Sequence, residues 1–84
     1  PDLAVEVRSP NDAYGDVVEK LEDFFAGGTR LAWIVDPLRR RVECVTPDGA
    51  RRMLAEDATL DGAPVLLSFA MPVAEVFAGV ARER

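Results

Sequence analysis

The alternation of apolar and polar positions divides the chain into a short series of elements. Leu3, Val5 and Val7 point to one face and Asp2, Ala4, Glu6 and Arg8 to the other, which predicts a strand over Leu3 to Val7. Ser9-Pro10-Asn11-Asp12 is a turn cluster that also offers N-cap side chains to the segment after it. From about Ala13 to Ala26 the apolar residues Tyr14, Val17, Val18, Leu21, Phe24 and Phe25 recur at helical spacing, and Gly27-Gly28 ends the helix. Leu31-Ala32-Trp33-Ile34-Val35 is apolar at every position, the pattern of a strand buried on both faces, and Asp36-Pro37 stops it. Arg41 to Thr46 alternates again, with Val42 and Cys44 on one face and Glu43 and Val45 on the other. Pro47-Asp48-Gly49 then predicts a hairpin turn that returns through Ala50 to Leu54. Asp57 to Pro64 reads as loop, and Val65-Leu66-Leu67 as a short strand or a buried crossing. Pro72 opens a closing helix over about Val73 to Val80, with Val73, Val76, Phe77 and Val80 as its buried side.

The expected order is therefore β-α-β-β-β-α. The first three elements form a βαβ unit, so their two strands are expected to be parallel with a right-handed crossover, and the later strands add by antiparallel hairpins. That is a mixed β-sheet of α/β (α+β) class in a single domain over residues 1–84, with Leu31 to Val35 as its central strand. The first strand is left at an edge or awaits an upstream partner. An unpaired edge recruits another strand, so a homo-oligomer, most simply a dimer, is expected.

Length and composition narrow the chemistry. Eighty-four residues bury only about 60% of the surface that the unfolded chain exposes, so the core is thin. The apolar fraction of 49% and the charged fraction of 30% are those of a globular domain, and no apolar run is long enough to span a membrane. A single cysteine and no signal peptide point to a reducing, cytoplasmic setting. The start at Pro1, inside a strand and without an initiator Met, reads as a fragment. The absence of His excludes Ser-His and Cys-His catalysis and His-ligated zinc. Carboxylates, an oxygen-ligated divalent metal and one amine remain. The net charge of −5 argues against nucleic-acid binding through bulk electrostatics. Nine of the ten basic residues are Arg, which singles out the one lysine, Lys20.

Taken together, Pro1-Asp2-Leu3-Ala4-Val5-Glu6-Val7-Arg8-Ser9-Pro10, Asp16 to Phe24, and Gly28 through Trp33-Ile34-Val35-Asp36-Pro37 form an ordered set. The tail adds Leu60-Asp61-Gly62, Val65-Leu66, Phe69 and Pro72 to Phe77. This set resembles the C-terminal half of the Uma-type putative restriction endonuclease family, a bacterial group of the PD-(D/E)xK nuclease superfamily. The resemblance implies a partial restriction-endonuclease-like core. It also implies metal-dependent hydrolysis of DNA phosphodiesters, with a divalent cation, usually Mg2+, held by an Asp and a Glu while a Lys helps activate water. On this chain it places the metal-binding, catalytic Glu at Glu6 and the catalytic Lys at Lys20 on the following helix, since Arg8 fills the lysine position of the strand motif. The family's metal-binding Asp lies upstream of this segment, so Asp2 does not take that role and the chain carries only part of an active site.

Each of these residues also has a plainer reading. Glu6 reads equally as an ion-paired edge carboxylate. Lys20 reads as an amine snorkelling from the border of the apolar stripe, at i, i+4 from Asp16. Arg39-Arg40-Arg41 with Arg51 and Arg52 form either a phosphate-binding patch or a charged, aggregation-resistant edge. Trp33 and the helix phenylalanines read as core, Cys44 as a small buried hydrophobe, and Asp36 as the organiser of the turn at Pro37. The leading expectation is a metal-dependent DNA endonuclease. The alternatives are a non-catalytic protein-interaction or DNA-binding domain that retains the fold, and a structural remnant whose open edge drives dimerisation.

Overall fold

The computed structural model describes residues 2–63 and 65–82, with backbone alone for 66–68 and 79–82. Pro1, Pro64 and the side chain of Val80 thus lie outside the described residues. The elements are β1 (Leu3–Val7), α1 (Tyr14–Ala26), β2 (Leu31–Asp36), β3 (Arg41–Val45), β4 (Arg51–Leu54), β5 (Thr59–Gly62), β6 (Leu66–Pro72) and α2 (Val73–Arg82).

A four-stranded mixed sheet in the order β1-β2-β3-β4 forms the middle of the molecule. β2 runs parallel to β1, with Leu3 opposite Leu31 and Val7 opposite Val35, and antiparallel to β3, with Trp33 opposite Cys44. All six residues of β2 are buried, as their uninterrupted apolar run requires. Two separate cores explain why. Leu31, Trp33 and Val35 join Val42, Cys44, Leu60, Val73 and Phe77 on one side of the sheet. Ala32 and Ile34 join Ala4, Val17, Leu21 and Val45 on the other, beneath α1. β1 is a sheet edge.

The α1 boundaries show which local signals decide. Its N-cap is Ala13, which makes no side-chain capping bond. Asp12 turns back instead and accepts the backbone N–H of Ser9 at 2.9 Å, so this candidate cap acceptor closes the turn rather than the helix. At the other end Gly28 takes φ +103°, its N–H bonds the Phe25 carbonyl, and the Thr29 N–H bonds that of Phe24. This is a Schellman closure, and the left-handed residue it needs is the glycine that the sequence supplies.

The segment from Asp57 to Pro64, expected as loop, contains β5, and β5 pairs antiparallel with β6 in a second, two-stranded sheet. The observed order is thus β-α-β-β-β-β-β-α, two strands beyond the expected count. Burial accounts for the difference. Leu60 is a core residue, and packing it beneath the main sheet with Val73 and Phe77 outweighs the turn propensity of Asp61-Gly62. A register irregularity between Asp61 and Gly62 marks the remaining conflict. α2 begins at Val73, directly after β6. The β2–β3 connection holds Arg40 at φ +51°, and Arg40 ties this turn to the second layer through Glu56 at 2.7 Å and the Phe77 ring at 5.3 Å.

The Schellman closure has a measurable consequence. Gly28→Ala is expected to destabilise the fold by about 1–2 kcal/mol, the cost of a left-handed L-residue. No atom lies within 4 Å of the added methyl, so the loss is conformational rather than steric. Urea unfolding should show a lower midpoint at an unchanged m-value.

Candidate functional site

On the α1 face of the sheet, register places Glu6, Ile34, Glu43 and Met53 in one cross-strand row. The next row is Asp36 opposite Arg41, with Arg8 beyond β1 beside it. These rows exist because strand alternation puts even positions of β1 and β2 toward α1, and α1 covers that side through Val17 and Leu21. Ala4 is small and buried there, which lets α1 lie close above β1.

That placement brings Lys20 to Glu6. Its Nζ stands 3.7 Å from Glu6 Oε2, although fourteen positions separate the residues in the chain. The carboxylate side chain is only 22% exposed and the amine 65%. A pair with one partner this exposed contributes at most about 1 kcal/mol to folding. The amine remains open to solvent and to any ligand approaching Glu6.

A second polar group lies along the same face. The Tyr14 hydroxyl donates to Glu43 Oε1 at 2.8 Å, Arg51 approaches Glu43 Oε2 at 3.6 Å, and Arg51 also donates to the Tyr14 hydroxyl. The guanidiniums of Arg8 and Arg51 lie 5.3 and 5.6 Å from the centre of the Tyr14 ring. Burial, followed by the neighbouring Glu43, raises the Tyr14 pKa above its ordinary 10.0. Sequence reasoning treated Tyr14 as one more member of the apolar stripe. The signal for its role was Glu43: sharing a face with Val45 put it under α1, where a carboxylate needs a donor.

Asp36 is the third carboxylate of this face. It accepts the Arg39 backbone N–H at 3.1 Å and pairs with the Arg39 and Arg41 side chains at 3.2 and 3.8 Å. Burial pushes its pKa up, but the Arg39 hydrogen bonds and the two guanidinium charges outweigh burial and leave it below the ordinary 3.8. It organises the turn, as expected. A cleft of about 310 Å³ opens between this turn and Arg8-Ser9-Pro10, at the C-terminal ends of the parallel strands.

Of the two readings of the arginine cluster, the ion pairs fit the charged edge. Arg39 and Arg41 pair with Asp36, Arg40 with Glu56, Arg51 with Glu43 and Arg52 with Asp61. Trp33 and Cys44 are buried core residues. Among the described residues no three Asp, Glu or Cys side chains gather closely enough to hold a metal ion. Glu6 offers one half-buried carboxylate, a hard oxygen donor of the kind that divalent cations such as Mg2+ take. No described helix is long and apolar enough to cross a membrane.

Comparison with known proteins bears on this arrangement. The sequence family described as Uma2, putative restriction endonuclease, matches residues 1–74. Among solved structures, a putative nuclease belonging to DUF820 from Anabaena variabilis ATCC 29413 superposes with a TM-score of 0.81 at 20% identity. The match covers 93% of this chain and 44% of that one, so this chain spans under half the length of that neighbour. At this identity the likeness is one of fold. No curated protein is significantly similar.

The Asp36 cluster yields a pH-dependent expectation. Because its folded pKa is lowered, Asp36 contributes stability above pH 3.8 and loses it as the pH falls through its folded value. Asp36→Asn is expected to cost about 1–3 kcal/mol at neutral pH, the range for hydrogen bonds to a charged group. Thermal melts should show the gap from the unmodified protein closing as the pH drops below 3.8.

Proposed function

The chain belongs to the Uma2 family of putative restriction endonucleases, and from that membership we propose that it carries part of the active site of a divalent-metal-dependent DNA endonuclease. The observation that supports this most is the Glu6–Lys20 pair. The only lysine of the chain meets a half-buried strand carboxylate across two elements, while Arg39, Arg40, Arg41, Arg51 and Arg52 are each paired elsewhere.

In this reading Glu6 is the residue that holds the cation, as a hard oxygen donor fixed by the β1–β2 ladder. Restriction-endonuclease-like families generally use a divalent metal, and Mg2+ is the cation proposed here. When bound, such a cation offsets charge on a scissile phosphate and makes water a better nucleophile. Lys20 does not hold the cation. Its amine, placed by α1, donates hydrogen bonds to the attacking water or to a phosphate oxygen and supplies a positive charge where charge develops. A further carboxylate from outside these 84 residues completes the set in this proposal. The net charge of −5 makes DNA engagement depend on the cation and on local groups rather than on a general basic surface.

One observation favours a second reading. The net charge of −5 fits a non-catalytic interaction or DNA-binding domain that keeps the fold and engages a partner through local groups. Substitution separates the two. Under the nuclease reading, in the full-length protein, Glu6→Gln abolishes Mg2+-dependent cleavage of duplex DNA at an unchanged melting temperature. Lys20→Met lowers turnover by about 10²–10⁴-fold, the usual contribution of a positioned proton-handling group, with cation affinity nearly intact. Cleavage undiminished in both variants would overturn the roles given to Glu6 and Lys20, and cleavage absent from the full-length protein, with its Mg2+ affinity insensitive to Glu6→Gln, would favour the second reading.

A further inference from the structure

The cleft at the C-terminal ends of β1 and β2 differs in charge from the rest of the molecule. Both of its walls come from this chain: Arg8-Ser9-Pro10 after β1, and Asp36 to Arg39 at the end of β2 and in the turn that follows. The chain as a whole carries −5, yet here the guanidiniums of Arg8, Arg39 and Arg41 stand against the one carboxylate of Asp36. Asp12 attracts Arg8 from the neighbouring turn, but its carboxylate is engaged by the Ser9 N–H, and the cations remain in excess.

Arg8 differs from the other two cations in being held by neutral groups. Its guanidinium donates to the Asp12 carbonyl at 3.3 Å and lies over the Tyr14 ring, 5.3 Å from its centre. Its Nε–H is buried and makes no hydrogen bond among the described residues. A buried donor without an acceptor is a cost to the fold. An anion reached through the cleft is an acceptor that removes it.

From this arrangement we infer that Arg8 binds a DNA phosphate, the neighbour on the same strand of the phosphate that meets Glu6 and Lys20. The inference rests on the nuclease reading and extends it by one nucleotide. Strand alternation puts Arg8 on the face of Glu6, two residues on, so the two side chains leave the backbone about 7 Å apart. That is the scale of the step between neighbouring phosphates, so one DNA strand can present a phosphate to each residue. A planar guanidinium meets two phosphate oxygens at once, which an ammonium does not. Pro10 and the exposed Leu38 give the cleft apolar walls that suit the deoxyribose between the two phosphates.

The salt dependence of duplex binding by the full-length protein tests the assignment, with Ca2+ in place of Mg2+ to keep the duplex whole. Each phosphate that a cation neutralises contributes about 0.9 to the slope of log affinity against log salt. Arg8→Gln is expected to lower that slope by about 1, and the affinity at about 0.1 M salt roughly tenfold. Arg8→Lys should keep the slope, because the charge stays, and bind less tightly than the unmodified protein, because the fork is lost. Arg30→Gln removes the same charge beside the opposite end of β2 and should leave the slope unchanged. A further readout needs no variant: the Arg8 Nε–H resonance of the unmodified protein should shift as duplex is added.

A slope unchanged by Arg8→Gln, a slope lowered as much by Arg30→Gln, or an Arg8 Nε–H signal unmoved at saturating duplex overturns the inference. Cleavage that still depends on Glu6 would then leave the nuclease reading standing. Failure of the unmodified full-length protein to bind duplex removes both.

Discussion

The burial of β2 on both faces is the constraint on which the rest of this small protein depends. An uninterrupted run from Leu31 to Val35 cannot leave either side of the sheet to water, so the chain has to supply two covers. α1 is one, laid over Ala32 and Ile34 through Val17 and Leu21. The other is the layer of β5, β6 and α2, whose Leu60, Val73 and Phe77 close over Leu31, Trp33 and Val35. In a chain this short neither cover is redundant, because the total apolar burial is small to begin with.

The site follows from the first of those covers. Once α1 lies over the even positions of β1 and β2, three carboxylates fall beneath or beside it: Glu6, Glu43 and Asp36. Each meets a different partner. Asp36 is enclosed by a backbone N–H and two guanidiniums and serves the turn. Glu43 is taken by Tyr14 and Arg51 and ties the first turn of α1 to β3 and β4. Of the three, Glu6 faces a single solvent-exposed lysine rather than a set of hydrogen-bond donors. That difference separates the carboxylate proposed to meet a ligand from the two that hold the fold together.

The sequence was most informative where periodicity and tertiary burial agree. β2 as the central strand, its parallel pairing with β1, the β3–β4 hairpin at Pro47-Asp48-Gly49 and the Gly27-Gly28 end of α1 were all legible in this way. The meeting of Glu6 with Lys20 was implied by the family resemblance, since the apolar pattern alone left open which face of β1 the helix covers. β5 was not legible. Thr59-Leu60-Asp61-Gly62 has the local chemistry of a turn, and only the docking of Leu60 makes it a strand. Of the two roles open to the Ser9–Asp12 cluster, the turn prevails over the helix cap, because both compete for the same Asp12 oxygen. The choice between the two readings of the arginine cluster was not legible either, because its carboxylate partners Glu56 and Asp61 come from the segment read as loop or its border.

The central claim is that the Glu6–Lys20 corner of the α1 face is the place where this domain meets a divalent cation. Paramagnetic line broadening by Mn2+ tests it directly, residue by residue, without requiring turnover. At substoichiometric Mn2+, amide signals of Val5, Glu6, Val7 and Lys20 should broaden first, and Glu6→Gln should abolish that pattern while the remainder of the spectrum is preserved. Broadening centred on Asp48, Asp57 or the outer carboxylates of α1, or a pattern unchanged by Glu6→Gln, would contradict the account.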